Sequence, residues 1–407
     1  MSRGITCASY QRLNPIARSS AAFPAVRLSL NDNPASTKFV TGPGPAPKAR
    51  RMSNKIDLFR IPAADKERLR VLFLAKHAES GGSLHGEDGN HAVYHHEVLT
   101  TLRAIGLDVT PASDFTALFG PTDHDYLFTL LNRAGYPMSE MLGPLLAQRI
   151  GLPALGASPI LRGLSDDKHL MKTVAVARGV PVAPWLIARR GCQWIPYPDF
   201  AFERLVVKPN ASSASWGVSM PTDWETAKND IAKLHAEGHD VIVERYEGAY
   251  DVVVPVLGGA EPILLSTMRF EMPGDEGNFR SYEEKRGLSE GPKERLVAMK
   301  NPVMTRKIRE YTRAMLPELW PFDYGRFEFR YTPTTGEVLF MEVNLSCNLW
   351  SKKTVSGAAQ LAGLTHAQLI EHIAAYSMDR QGVITAERVP FDLAMMPEDV
   401  GGETIEV

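Results

Sequence analysis

The chain of 407 residues has only three cysteines, Cys7, Cys192 and Cys347, spaced far apart. An odd, scattered set excludes a disulfide framework and a zinc cluster, and it fits a reducing compartment. No uninterrupted apolar run reaches about 18 residues, so no transmembrane helix and no membrane partner are expected. No Gly-x-x-x-x-Gly-Lys-Ser/Thr pattern occurs, which argues against a P-loop nucleotidase. Acidic residues are missing before Asp32: residues 1–51 hold eight Lys or Arg against one acid, net +7. The remainder holds 37 basic and 46 acidic residues, net −9, so the total of −2 conceals an acidic body. Neither half suggests a nucleic-acid partner.

The first 55 residues, rich in Ser, Ala, Pro and Arg, include Pro43-Gly-Pro-Ala-Pro47 and show no apolar periodicity. They read as a disordered basic leader, or as an extension ahead of a start at Met52. An Arg- and Ser-rich, acid-poor start also resembles an organellar transit peptide, so the expected cytoplasmic location has an organellar alternative.

At this length two or three domains are expected. Leu69 to Ala75 is a short apolar run that enters a Gly-rich segment, Gly81 to Gly89. A helical pattern on Val93, Val98, Leu99 and Leu102 follows and closes at Gly106. Strand, Gly-rich loop and helix open an α/β domain over 67–160, continued by a strand at 125–131 and a helix at 138–151. Ser165-Asp-Asp-Lys168 caps a helix that ends near Gly179. Strand-like runs at 205–208, 241–244, 251–257 and 263–270 then come in pairs, which predicts an antiparallel α+β region. Helices near 303–317 and 364–377 complete it, and residues 379–407 read as a loosely attached acidic tail.

The most informative stretch is Tyr324 to Tyr331, a turn signal over Pro333 to Gly336, and Glu337 to Asn344. Both arms alternate with period two, so the segment reads as a β-hairpin. With its turn centred on residue 335, Glu328 stands opposite Glu342 and Arg326 opposite Asn344. These four share one face, with Phe327, Phe329, Met341 and Val343 on the other. Opposed carboxylates repel, so a cation is expected between them, and their oxygens suit Mg²⁺ with substrate phosphates.

A strand ending in Lys208 is followed by a loop of small residues, Asn210 to Gly217, in which backbone N–H groups can approach an anion. The order of the pieces then resembles the ATP-grasp ligases, most nearly the D-alanine–D-alanine ligase family, from about Leu69 to Tyr376. The residues that carry it are Gly151 to Ser158, Ser165 to Lys168, Gly179 to Pro184, Val207-Lys208-Pro209, Val243 to Glu247 and Met341-Glu-Val-Asn344. The resemblance implies an N-terminal Rossmann-like pre-ATP-grasp domain (67–160), a small lid domain (161–248) and a large domain bearing the hairpin (249–378). It implies ATP contacts by Lys168, Lys208, Ser215, Glu244, Arg245, Glu247 and Asp251, with Lys285 reaching the γ-phosphate. Two Mg²⁺ ions, for which Mn²⁺ can substitute, are implied at Glu328, Glu342 and Asn344, and Arg326 steadies a tetrahedral intermediate. A homodimer is also implied.

The implied reaction joins a carboxylate to an amine through an acyl phosphate, the substrates being amino acids. The substrate side departs from the family pattern. Ala214 stands where the phosphate loop has a serine, Arg286 where a tyrosine follows the lysine, and Cys347-Asn348-Leu349-Trp350-Ser351-Lys352-Lys353 where the hairpin runs into Pro-Gly. Glu87, Arg286, Asn348 and Lys353 are the candidate substrate contacts. An amino-acid or dipeptide ligase of specialised metabolism is expected, against two alternatives: cell-wall D-alanine–D-alanine ligation, or a nucleotide binder without catalysis. His91, His95 and His96 read as structural, and Cys347 lacks a partner that would activate it as a nucleophile.

Overall fold

The computed structural model describes residues 55–133, 139–192, 194–213, 215–248, 250–271, 295–394 and 404–406. The basic leader up to residue 54 lies outside them. The described chain starts with Lys55–Arg60 (β1) and Ala63–Arg68 (α1). Arg70–Leu74 (β2), Asp108–Ala112 (β3) and Tyr126–Thr129 (β4) then form a parallel sheet ordered β3-β2-β4. Val71 and Phe73 of β2 face a core shared with His91–Ala104 (α2), while Leu72 and Leu74 face Leu142–Arg149 (α3). Burial on both faces accounts for the unbroken apolar run in β2.

Pro159–Asp166 (α4) and Lys168–Ala177 (α5) come next, and the carboxylate of Asp167 caps α5 by accepting the Leu170 amide at 2.9 Å. Trp185–Ala188 (β5), Leu205–Pro209 (β6) and Val241–Arg245 (β7) make a small antiparallel sheet ordered β5-β7-β6. It has its own core against Trp224–Ala236 (α6), built from Ala227, Ile231 and Leu234.

Tyr250–Leu257 (β8), Ile263–Leu264 (β9), Met268–Glu271 (β10), Arg295–Ala298 (β11), Tyr324–Thr332 (β12) and Glu337–Asn344 (β13) build a larger antiparallel sheet. Its order is β13-β12-β8-β10-β11, with β9 beside β8. One face packs against α5 and Pro302–Leu319 (α7). The other joins Thr354–Leu361 (α8), His366–Arg380 (α9), β2 and α2 in a single core. Among the described residues no helix is long and apolar enough to cross a membrane.

Two expectations need correction. The run 263–270 is not one strand: Arg309 donates to the carbonyls of Leu265 (2.7 Å) and Leu264 (3.2 Å), and the chain breaks into β9 and β10 there. The described parts of 379–407 are not a loose tail. Glu387–Asp392 (β14) pairs along all six residues of β1, and Thr404–Glu406 (β15) adds to the edge of the large sheet on β11. Because β14 is held by backbone pairing and is mostly exposed, it carries no apolar pattern that would mark it as a strand.

Candidate active site

β12 and β13 pair with Arg326 opposite Asn344 and Glu328 opposite Glu342, the register read from the sequence. All four side chains are half-buried and line one cavity of about 830 Å³. Arg326 Nε donates to Glu328 Oε1 at 2.7 Å. Burial would lower the guanidinium pKa, but the Glu328 carboxylate beside it raises it above its ordinary value, so Arg326 stays charged. On the opposite face Phe327, Phe329 and Val343 are buried as expected, whereas Met341 is not. The register slips by one residue between Glu328 and Phe329, so Met341 bulges toward the cavity. Phe340 takes the core position instead and packs edge-on to Phe329 at 5.7 Å.

The lysines reach this face from two other elements. Lys168, the first residue of α5, donates from Nζ to the Ser212 carbonyl at 2.7 Å and stands 3.4 Å from Glu342 Oε2. It therefore ties the small-residue loop to the hairpin. Lys208 Nζ lies 3.0 Å from Glu244 Oε1, and Lys172 Nζ lies 3.5 Å from the same oxygen. Lys172 was missed in the sequence; its signal is its place one helical turn after Lys168, on the same face. Burial would push the Glu244 carboxyl up, yet Lys172 and Lys208 hold it below the ordinary carboxylate value. In the loop, Ser215 adopts φ 61°, a left-handed conformation uncommon for a residue with a side chain, and it lines the cavity.

Farther along the cavity, Arg245 Nε bonds Glu247 Oε1 at 2.5 Å. Arg330, absent from the sequence expectations, donates to Asp251 Oδ1 (2.6 Å) and to the Glu247 carbonyl (2.8 Å). Asp251 thus shares its carboxylate with a guanidinium.

The α/β domain supplies the remaining wall. Arg133 donates to Asp166 (2.7 Å), Glu140 (3.1 Å) and the hydroxyl of Ser213 (3.3 Å). Glu140 in turn accepts from Ser346 Oγ at 3.0 Å, just beyond β13. This network joins four segments (133–140, α4, the small-residue loop and the stretch after β13) whose distance apart in the chain leaves no local signal. Glu97 on α2 anchors the post-hairpin segment by accepting from Trp350 Nε1 (3.1 Å), the Ser351 amide (2.8 Å) and Ser351 Oγ (2.9 Å).

Asn348 and Lys353 line the cavity, and Asn348 Oδ1 accepts the Trp350 amide at 2.8 Å. Burial pushes the Cys347 thiol up to about 12, which leaves it protonated and unsuited to nucleophilic attack. Glu87 is exposed and away from the cavity; its neighbour Asp88 lines the wall instead. Lys285, Arg286 and Ala214 lie outside the described residues.

Glu328, Glu342 and Asn344 offer carboxylate and carboxamide oxygens to one side of the cavity, a donor set that fits a hard divalent cation. Asn344 Oδ1 accepts the Ser346 amide at 2.9 Å, which fixes the amide's orientation and leaves its second lone pair for another partner.

Residues 177–375 match the family model described as the D-ala D-ala ligase C-terminus. A protein of Sinorhizobium fredii described as uncharacterized protein y4sG is 28 % identical over 233 residues, which is 56 % of this chain and 68 % of that protein. A D-alanine–D-alanine ligase of Polaromonas sp. is 24 % identical over 249 residues, 57 % of this chain and 69 % of that enzyme. Among solved structures, the D-alanine–D-alanine ligase of Bacillus anthracis complexed with ATP has a TM-score of 0.60 at 16 % identity, covering 77 % of this chain and 98 % of that one. The VanG D-Ala:D-Ser ligase of Enterococcus faecalis has a TM-score of 0.55 at 16 % identity, covering 76 % of this chain and 99 % of that one. At such identities the structural likeness is one of fold.

Proposed function

We propose that this chain, an ADP-forming ligase of the ATP-grasp fold related to the D-alanine–D-alanine ligases, activates a carboxylate substrate and couples it to an amine. The observation that carries the reading is the meeting of Lys168, Lys208 and the Arg326, Glu328, Glu342, Asn344 face in one cavity. In the first step a carboxylate oxygen attacks the γ-phosphorus of ATP; a C–O–P linkage forms, the β–γ bridge breaks, and ADP leaves. In the second step the amine attacks the acyl carbon, phosphate departs with the C–O electrons, and the amine proton passes to solvent.

Both steps gather negative charge on oxygen, so fixed cations do most of the work. Lys168 and Lys208 hold the phosphates. Arg326, kept charged by Glu328, stabilises the oxyanion of the tetrahedral intermediate. Lys285 meets the γ-phosphate. Mg²⁺ ions held by Glu328, Glu342 and Asn344, with Mn²⁺ as substitute, would offset the phosphate charge. Ser215 and its loop contribute backbone donors, while Arg245, Glu247 and Asp251 border the nucleoside end. Walls from the α/β domain and the two sheets border the cavity and limit the access of water to the acyl phosphate.

The substrates are amino acids, and the pair is not two D-alanines. Asn348 and Lys353 replace the small, neutral acceptor segment, and Arg286 adds charge, which favours a larger or more acidic substrate. Phosphate release from MgATP, measured against pools of amino acids, tests the proposal. Release that depends on a mixed pair, with a new amide product, is expected. Stimulation by D-alanine alone would overturn the substrate reading, and nucleotide binding without release under any carboxylate would overturn the ligase activity.

A further inference from the structure

The loop between β2 and α2 carries a cluster that the ligase reaction leaves unused. His77, His85 and Asp88 each present a ligand atom, and these atoms lie within 4.8 Å of one another. His77 Nε2 is 2.8 Å from Asp88 Oδ2, and the His77 and His85 rings are 4.6 Å apart between centroids. Backbone constraints build the arrangement. His85 and Gly89 exchange two hydrogen bonds, 3.0 and 2.8 Å, closing a tight turn that returns Asp88 beside His85. Gly82 has φ +83°, and a Cβ there would stand 2.7 Å from the His96 ring, so the loop is seated directly on α2. The His77 amide donates to His95 Nδ1 at 3.2 Å. Buried His77 and half-buried Asp88 are thereby held in place, while His85 is exposed.

We propose that His77, His85 and Asp88 form a binding site for one transition-metal ion of the zinc class, set in the wall of the ligase cavity that Asp88 lines. Two imidazoles and one carboxylate favour Zn²⁺ or Co²⁺ over Mg²⁺, which separates this site from the all-oxygen hairpin set. Three protein ligands leave a fourth position open. Ligands on one tetrahedral ion, with bonds of about 2.0–2.1 Å, stand about 3.4 Å apart, so His77 and Asp88, now 2.8 Å apart, must open slightly while the ring of His85 draws in. What restrains that ring is weak: its Nδ1 accepts from the amides of Glu87 and Asp88, both at 3.3 Å. Lys76 forms an ion pair with Asp88 and balances its charge without a metal. An incoming ion displaces that ammonium and the proton shared between His77 and Asp88.

The test is Zn²⁺ titration of the full chain by competition with a chromophoric chelator, with excess Mg²⁺ present to occupy the hairpin oxygens. One equivalent binding with a Kd below about 10 µM is expected. Asp88→Asn and His85→Ala should each weaken binding by at least about tenfold, and Lys76→Met should tighten it because a competing cation is gone. Co²⁺ should give the visible absorption of a four-coordinate ion, diminished in His85→Ala. Circular dichroism of each variant checks that it is folded. Affinity unchanged in a folded His85→Ala variant, weaker binding in Lys76→Met, or no binding at about 10 µM would each overturn the proposal.

Discussion

Replacing Glu244 with alanine would leave two lysines facing one another without their shared carboxylate. Glu244 is 6 % exposed, and Lys172 is fully buried, with the Trp185 ring centroid 5.9 Å from its Nζ. Removing one partner of a buried ion pair costs about 3–5 kcal/mol, because the remaining charge has neither counter-ion nor water. Lys208 borders the cavity and recovers part of this from solvent, so a cost near the lower bound, about 3 kcal/mol, is expected.

The cost should depend on pH. Burial holds the Lys172 ammonium below its ordinary pKa; Glu244 opposes that shift and Lys208 adds to it. Without Glu244 the value falls further. A lysine depressed on folding binds more protons when unfolded, so stability rises with pH across the window between the two values. The variant should therefore be worst at neutral pH and recover as pH climbs toward the unfolded lysine value, about 10.4. In the unsubstituted chain Glu244, whose own value is lowered, contributes stability above the ordinary carboxylate range and loses it as pH falls through its folded value. Urea midpoints near pH 7 and near pH 9.5 measure the effect, with Glu244→Leu/Lys172→Met as comparison. Removing both charges should leave a chain more stable than the single variant. A cost below about 1 kcal/mol at both pH values, or a double variant less stable than the single one, would refute the reasoning.

Glu342→Gln is expected to abolish MgATP-dependent turnover, with circular dichroism and thermal midpoint near those of the unsubstituted chain; retained turnover would refute the proposal that Glu342 is a metal ligand. Asp323 is fully buried and accepts from Arg380 at 3.1 and 2.8 Å and from the Gly156 amide. Asp323→Ala strands both donors, so a loss of about 3 kcal/mol and a clearly lower thermal midpoint are expected. An unchanged midpoint would show that these bonds add nothing.

The elements legible in the sequence were those with an apolar period or a chemical cap. β2 and β4 announce themselves as apolar runs, and α5 by the Asp167 cap before its first residue. α6 leaves little trace in the sequence because its buried stripe is only Ala227, Ile231 and Leu234 among charged positions. The pairing of β1 with β14 joins residues more than 300 apart, and a mostly exposed strand leaves no local trace of its partner. The site divides in the same way. Lys168, Lys208 and the hairpin face lie within short ordered segments. Arg133, Glu140 and Glu97 act through contacts with Ser213, Ser346 and Trp350, which only the folded chain brings near.

At the site the hairpin has the register its sequence predicts, although the turn is centred half a residue earlier than the residue-335 turn implies. Thr332 stands opposite Glu337, and an unbroken ladder from that turn would set Glu328 against Met341. Glu342 and Asn344 would then share the face of Phe327 and Phe329, pointing their oxygens into the apolar core. The extra residue at Met341 reverses the parity of everything beyond it and turns both oxygens into the cavity. β12 cannot absorb that change, because it pairs with β8 without a break from Tyr324 to Tyr331. The irregularity must therefore fall in β13, which is the edge strand of the sheet. A bulge at an edge, beside a site, re-aiming a side chain is what such an irregularity can do at least cost to the ladder. Met341 is consequently as much a determinant of the metal-suited face as the residues whose oxygens form it.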